Sequence, residues 1–409
     1  MKAVVFEYNL ARLGFAIMAG KITPQGYLSQ LGPTRLKEIP EPTLLADDWC
    51  IVRTTLCGIC GSDTKQIFID AQFDNPLTSL VTFPDVPGHE VVGVIEKIGP
   101  GVKNRHVGER VLLNPWLSCV PRGINPPCQA CQHGLYFVCE HFSDGHLPSG
   151  MHTGNCRAAT GGFAPYLPAH ESQLFPIPDE ITFEDAVLAD PFSVSFHAIL
   201  KAPPSAGGTA VVYGCGTLGM LQIAALHSLY PKTAIIAIAR HPRQETMAYE
   251  LGAELVIRTR DPQELIETIA KRTGVKVQRP WYGKPWLLGG VDVIYDTVGS
   301  PETIEIGLRI ARPRASIVIT GVAKAARFEW TPLYFKEIAL IGSNAFGVEE
   351  FEGERRHAMQ IYLRLLEQKR VILPDMITHR FRLEQYRQAL LVSHDKDRHQ
   401  AIKVVFEFN

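Results

Sequence analysis

The stretch Thr209-Ala-Val-Val-Tyr213, followed at once by Gly214-Cys-Gly216-Thr217-Leu218-Gly219, decides how this chain is read. The first five residues predict a buried strand, and the glycines form a G-x-G-x-x-G turn that opens a helix running to Leu229. Each glycine has its own task. Gly214 permits the tight turn, Gly216 lets backbone approach a pyrophosphate, and Gly219 lets the helix pack against the strand. The helix N-terminus adds free N–H donors and the positive end of a dipole. A strand-to-helix turn with no ligand is the alternative, and the units that follow weigh against it.

Working outward, residues 233–239 predict a second strand and 244–251 a second helix, while 291–295, 315–319 and 338–343 continue the series as short apolar strands. Strand alternating with helix implies a parallel, doubly wound sheet. Upstream the chain is richer in short strands and turns: 90–96 alternates weakly, Gly99-Pro-Gly-Val102 turns, and another strand starts at Gly108. Beyond 346, helices over 357–368 and 383–392 precede a closing strand at 401–407 that can rejoin the first part. The expected domains are therefore 1–193, 194–346, and a return segment 347–409. Two stretches, 10–31 and 278–289, stand out as insertions, the second carrying Trp281 and Trp286 among glycines and prolines.

The second strand ends in Ala239-Arg240-His241-Pro242-Arg243. An NAD site usually has an acid here for the ribose 2′-hydroxyl, and none is present. Arg240 with Arg243 suits a 2′-phosphate through charge-assisted hydrogen bonds, so NADP is favoured and NAD is left open, since both arginines can equally be solvated. The candidate cofactor contacts are the turn itself, Arg240, Arg243, and Val298 and Gly321 beyond later strands.

Cysteines divide along the chain, seven of the nine lying before position 140. Cys119, Cys128, Cys131 and Cys139 crowd one loop rich in Gly, Pro and Asn, enough thiolates for a closed tetrahedral zinc site in place of a core. A redox sensor or coincidental packing are the alternatives. Cys57 and Cys60 form a C-x-x-C, but in a strand-rich context without the thioredoxin pattern. Cys50, Cys57, Cys156 and Cys215 read as packing residues.

The 409 residues, 46% hydrophobic and 20% charged, suffice for two domains, and the net charge of −1 offers no basic excess for nucleic acid or lipid surfaces. No apolar run approaches a bilayer span, and neither a signal peptide nor an anchor is recognised. Many cysteines without a secretory segment point to a reducing, cytoplasmic setting.

Taken in order, Gly58-Ile-Cys-Gly-Ser-Asp63, Gly88-His-Glu90, the four-cysteine loop, Asp190-Pro-Phe-Ser193 and Gly214–219 resemble the zinc alcohol and polyol dehydrogenases of the medium-chain dehydrogenase/reductase superfamily, over nearly the whole chain. The resemblance implies a β-rich GroES-like catalytic domain beside the Rossmann domain and hydride transfer between NAD(P) and an alcohol, aldehyde or ketone. It further implies a homodimer or homotetramer and two zinc ions per chain. It places the catalytic zinc on Cys60, His89 and Asp190, with Glu90 close by or exchanging, Asp63 against the His89 ring, and Ser62 at the substrate oxygen. Two departures stand out. Lys65 replaces a histidine that many relatives use to end a proton relay, and eight residues instead of two separate Cys119 from Cys128. Trp116 is a pocket-wall candidate, with plain packing an equal alternative. An aldehyde reductase, a threonine-type dehydrogenase and a non-catalytic zinc- and cofactor-binding protein are the competing functions; an intact set of Cys60, Ser62, His89 and Asp190 argues against the last.

Overall fold

A computed structural model of the chain describes residues 1–70, 75–321 and 327–408. Its contacts form two units, the first comprising Met1–Asp190, Phe346–Glu367 and Ile377–Asn409, the second Pro191–Ala345 and Gln368–Met376. Residues 368–376 group with the second unit, and Val371 and Met376 among them are buried.

The second unit is built on six parallel strands in the spatial order Leu255–Ile257, Ala234–Ile238, Thr209–Tyr213, Val291–Asp296, Ala311–Ile319 and Ala339–Gly342. Numbered along the chain this is 3-2-1-4-5-6, the order of dinucleotide-binding folds. Parallel neighbours need crossovers, and the helices Thr217–Leu229, Pro242–Glu250, Pro262–Thr273 and Pro301–Ile310 provide them. Three of the four begin with proline, whose fixed φ and missing N–H suit the first helical position. Val211, Ile236, Ile294 and Ile317, on four adjacent strands, are fully buried. Such strands are apolar along their length because both faces are covered. Strand order reverses between Thr209–Tyr213 and Val291–Asp296, so a ligand crevice belongs at their carboxyl ends, where Gly214 and Thr297 lie.

The first unit contains a seven-stranded sheet whose hub is the long strand Trp49–Gly58. Glu90–Ile98, Tyr166–His170 and Lys403–Glu407 all pair with it, antiparallel. The register sets Gly58 opposite Glu90 and opposite Val405, so chain segments more than three hundred residues apart meet where the hub strand ends. The insertion near the start folds as the helix Leu10–Gly20 and the 3-10 turn Pro24–Leu28, burying Leu13, Ala16 and Leu28. The 278–289 insertion is a hairpin pairing Val277–Gln278 with Trp286–Leu287. Arg309 holds its base by donating to the carbonyl of Lys284 at 2.6 Å, and Trp281 at its tip is fully exposed.

Candidate zinc and cofactor sites

Just past the hub strand, Cys60 caps the helix Gly61–Ile67, and its N–H donates to Asp63 Oδ2 at 2.8 Å. His89 directly precedes the strand Glu90–Ile98. These adjacent registers bring a ligand atom from each of Cys60, His89 and Glu90 within 4.8 Å of one another. Asp190, in the first turn of Ala189–Lys201, stands outside that set. Burial pushes its carboxyl up to about 7, with His89 pulling the other way and Glu90 adding to the rise. Ser62 is exposed on the helix, three residues before the half-buried Lys65 and so on the same face.

Several ionisable groups act on one another in this pocket. Burial opposes a charge on His89, yet Asp63 and Cys60 beside it raise its pKa well above the usual value. His89 Nδ1 lies 3.5 Å from Asp63 Oδ1, and the ring also hydrogen-bonds the side chain of Cys60. Thiolate, imidazole and carboxylate are the ligand types of an open catalytic zinc site, so the residues fit the metal. Lys403, from the last strand, forms a buried ion pair with Glu90. Burial works against its charge, but Glu90 and Cys60 outweigh that and raise its pKa. A Cβ at Gly58 would stand 2.0 Å from Glu90 Oε2 and 2.7 Å from Lys403 Cε, so glycine is what leaves room for the pair. Lys403 was invisible to motif reading, because only the sheet register brings it there.

The four loop cysteines converge. Cys119 Sγ is 3.6 Å and Cys128 Sγ 4.0 Å from Cys139 Sγ, and all four sulfurs lie within 4.8 Å. Sulfurs at about 2.3 Å from one tetrahedral ion stand about 3.8 Å apart, so the long spacing before Cys128 does not keep Cys119 away. Backbone N–H groups of Cys128 and His141 donate to the sulfurs of Cys119 and Cys139. A hydrogen bond with Cys139 holds the Cys131 thiol down at about 5, while burial pushes Cys119 up to about 11. Sequence reading also missed Arg122: it is fully buried and donates to the carbonyls of Leu117, Asp144, Leu147, Pro148 and Gly150 at 2.6–3.1 Å.

In the glycine turn, Gly214 has φ +97°, and a Cβ at Gly219 would lie 1.9 Å from the Gly214 carbonyl oxygen. Both glycines are therefore required by the chain itself. At Gly216 nothing lies within 4 Å of a Cβ; the fold leaves that space open, as a docking pyrophosphate requires. Thr217 and Leu218 start the helix. Val298 Cγ2 is the nearest atom to a Cβ at Gly214, and Gly321 packs against the backbone of Val298. Arg240 and Arg243 are exposed and make no ion pair among the described residues; the N–H of Arg240 donates to Gln244 Oε1 at 3.0 Å.

Beside His89 lies His152, ring centroids 4.8 Å apart. Burial and the neighbouring His89 push its pKa down to about 4. Trp116 meets its ring edge-on at 5.8 Å. Trp116 was legible as a pocket candidate, but nothing local in Gly150-Met-His-Thr-Gly154 marked His152.

Comparison with known proteins shows the family of the chain. The alcohol dehydrogenase GroES-like domain matches residues 46–179, and the zinc-binding dehydrogenase family matches residues 207–360. An (R,R)-butanediol dehydrogenase of Bacillus subtilis is 30% identical over 297 residues, covering 71% of this chain and 75% of its own length. An L-idonate 5-dehydrogenase of Vitis vinifera is 28% identical over 382 residues, 93% of this chain and 89% of its own. The crystal structure of 2R,3R-butanediol dehydrogenase from Bacillus subtilis is similar with a TM-score of 0.72 at 25% identity, covering 100% of this chain and 99% of that one. The chain belongs to the zinc-dependent medium-chain dehydrogenase/reductase superfamily. It is an oxidoreductase that acts on CH–OH groups with a nicotinamide cofactor. No helix among the described residues is long and apolar enough to cross a membrane.

Proposed function

We propose that the first unit is the zinc-bearing catalytic domain and the second the cofactor domain of an NADP-preferring dehydrogenase of small hydroxylated alcohols and their ketones or aldehydes. The observation that carries this reading is the convergence of Cys60, His89 and Glu90, whose ligand atoms lie within 4.8 Å of one another. Cys60 and His89 would hold the catalytic zinc with Glu90 as the carboxylate within reach, and Asp190, outside the set, would act on the pocket through its charge. Cys119, Cys128, Cys131 and Cys139 would hold a second, structural zinc. When bound, zinc lowers the pKa of a substrate hydroxyl and the nicotinamide ring exchanges the hydride.

The chain's own residues do the rest. Asp63 keeps the His89 ring oriented through Nδ1. Lys403 neutralises Glu90, so that carboxylate does not oppose negative charge developing on the substrate oxygen. Ser62, able both to donate and to accept, passes the hydroxyl proton outward, with Lys65 one helical turn on. Arg240 and Arg243, exposed at a strand end without an acid, support NADP over NAD. The relatives named for butanediol and idonate support a polyhydroxylated substrate. A homodimer or homotetramer belongs to the same reading, supported by the strand Ala339–Gly342, which is paired on one edge only among the described residues and exposes Leu340. Cytoplasmic residence is supported by nine unpaired cysteines.

The test is zinc content per chain together with NADPH and NADH oxidation on a panel of aldehydes and ketones, repeated on Cys60→Ala and Arg240→Ala. Two zinc ions are expected in the native protein. Cys60→Ala should retain one and lose activity by about a thousandfold or more, and Arg240→Ala should cut the NADPH preference about tenfold. Absence of zinc from metal-replete protein would sink the zinc assignment, and an unchanged preference in Arg240→Ala would sink NADP.

A further inference from the structure

We propose that His152 sets substrate preference, its Nε2 accepting a hydrogen bond from a hydroxyl on the carbon next to the one that reacts. The assignment rests on the reading that Cys60 and His89 hold the metal that receives the reacting oxygen.

The imidazole of His152 stands 4.8 Å from that of His89, the two planes at 51°. Its place is built by several contacts. The backbone N–H donates to Asn155 Oδ1 at 2.9 Å, the residue pairs with Trp116 across an isolated β-bridge, and the Trp116 ring meets it edge-on at 5.8 Å. Nδ1 lies 2.8 Å from the carbonyl oxygen of Thr153. A carbonyl oxygen can only accept, so Nδ1 carries the proton, and Nε2 of the neutral ring is left with a lone pair. Among the described residues nothing donates to Nε2. Nor is it sealed off, in contrast to Nε2 of His357, which is buried. A fixed acceptor with no donor of its own therefore sits beside a candidate metal ligand.

Such an atom discriminates by hydrogen-bond sense. A neighbouring hydroxyl on the substrate donates to it, whereas a neighbouring carbonyl or carboxylate offers only lone pairs. The oxygens of a vicinal diol are separated by a single carbon–carbon bond, which matches two adjacent imidazoles serving one substrate. Oxidising one carbinol leaves the second hydroxyl intact, so the contact persists in the hydroxyketone product and acts in both directions of the reaction. The site should accordingly favour a vicinal diol over a monohydric alcohol of equal length, and a hydroxyketone over the matching diketone.

The experiment uses the zinc-loaded protein with NADPH bound. It measures calorimetric dissociation constants for 2,3-butanediol and 2-butanol, and then kcat and KM for the same pair with NADP and for acetoin against diacetyl with NADPH. Each is compared in the native protein, His152→Phe and His152→Gln, with zinc content determined for all three. One hydrogen bond corresponds to about tenfold in affinity. His152→Phe, which keeps a ring against Trp116 but offers no acceptor, should weaken the diol about tenfold in Kd and KM and leave 2-butanol within about twofold. His152→Gln, whose amide oxygen accepts, should stay within about threefold of the native protein for the diol. Zinc content should be the same throughout. Equal losses for diol and mono-alcohol, or a Gln variant no better than Phe, would reduce His152 to a packing residue and overturn the proposal. Native protein that holds zinc and NADPH yet binds neither alcohol would overturn the small-alcohol reading together with it.

Discussion

Arg122 commits all five of its N–H donors to backbone carbonyls at 117, 144, 147, 148 and 150. The loop it secures is the cysteine loop, where glycine and proline leave little apolar surface to bury. Replacing the side chain with one of similar length but no donors strands five acceptors in a dry interior. We expect Arg122→Met to cost about 3–5 kcal/mol in urea unfolding and to release one of the two zinc ions. Arg122→Lys, with a compact three-donor head, should recover only part of the loss. An unfolding midpoint and zinc content equal to the native protein's would show that the guanidinium is not what holds the loop. The same scale shows where motif reading stops. The four loop cysteines were legible from their type and spacing, whereas Cys60 and His89, dispersed along the chain, were joined only by the resemblance to zinc dehydrogenases. Arg122, Lys403 and His152 were not legible, because each owes its role to partners distant in sequence, and an isolated Arg, Lys or His carries no local signal.

Among elements, the strand Thr209–Tyr213 and the helix Thr217–Leu229 make a turn in which two kinds of glycine can be separated. Gly219 is demanded by the fold, since its Cβ would fall 1.9 Å from a carbonyl oxygen, whereas Gly216 faces open space. Gly219→Ala should therefore lower the melting temperature and weaken NADPH together. Gly216→Ala should leave the melting temperature within about 1 °C while weakening NADPH tenfold or more, because the methyl meets the pyrophosphate rather than the protein. Tight NADPH binding by Gly216→Ala would mean that the cofactor does not approach there. The element boundaries followed the sequence closely in this unit, where helix and strand alternate in apolar runs. The expected 315–319 strand begins earlier, at Ala311, because it pairs along Val291–Asp296 through an irregular register, a feature of pairing that an apolar run does not encode.

At the scale of the whole molecule, the four-cysteine loop lies in the first unit and the parallel sheet in the second. Metal removal should thus act locally. Chelation is expected to raise hydrogen exchange through residues 115–150 while amides of Val211, Ile236 and Ile294 keep their protection and NADPH still binds. Equal loss of protection in the second-unit sheet would contradict a metal role confined to the first. By itself the sequence determined the parallel Rossmann sheet, the glycine turn and the four-cysteine cluster, since hydrophobic periodicity, glycine placement and cysteine spacing are local properties; the dispersed set around Cys60 and His89 came from the resemblance. Tertiary structure decided how the carboxylates lie about Cys60 and His89. Sheet register sets Glu90 opposite Gly58 and brings it within 4.8 Å of both ligand atoms, while Asp190, on a separate helix, feels the charges of His89 and Glu90. Tertiary structure also paired Glu90 with Lys403 and set His152 beside His89, contacts between distant segments that only the folded chain brings together.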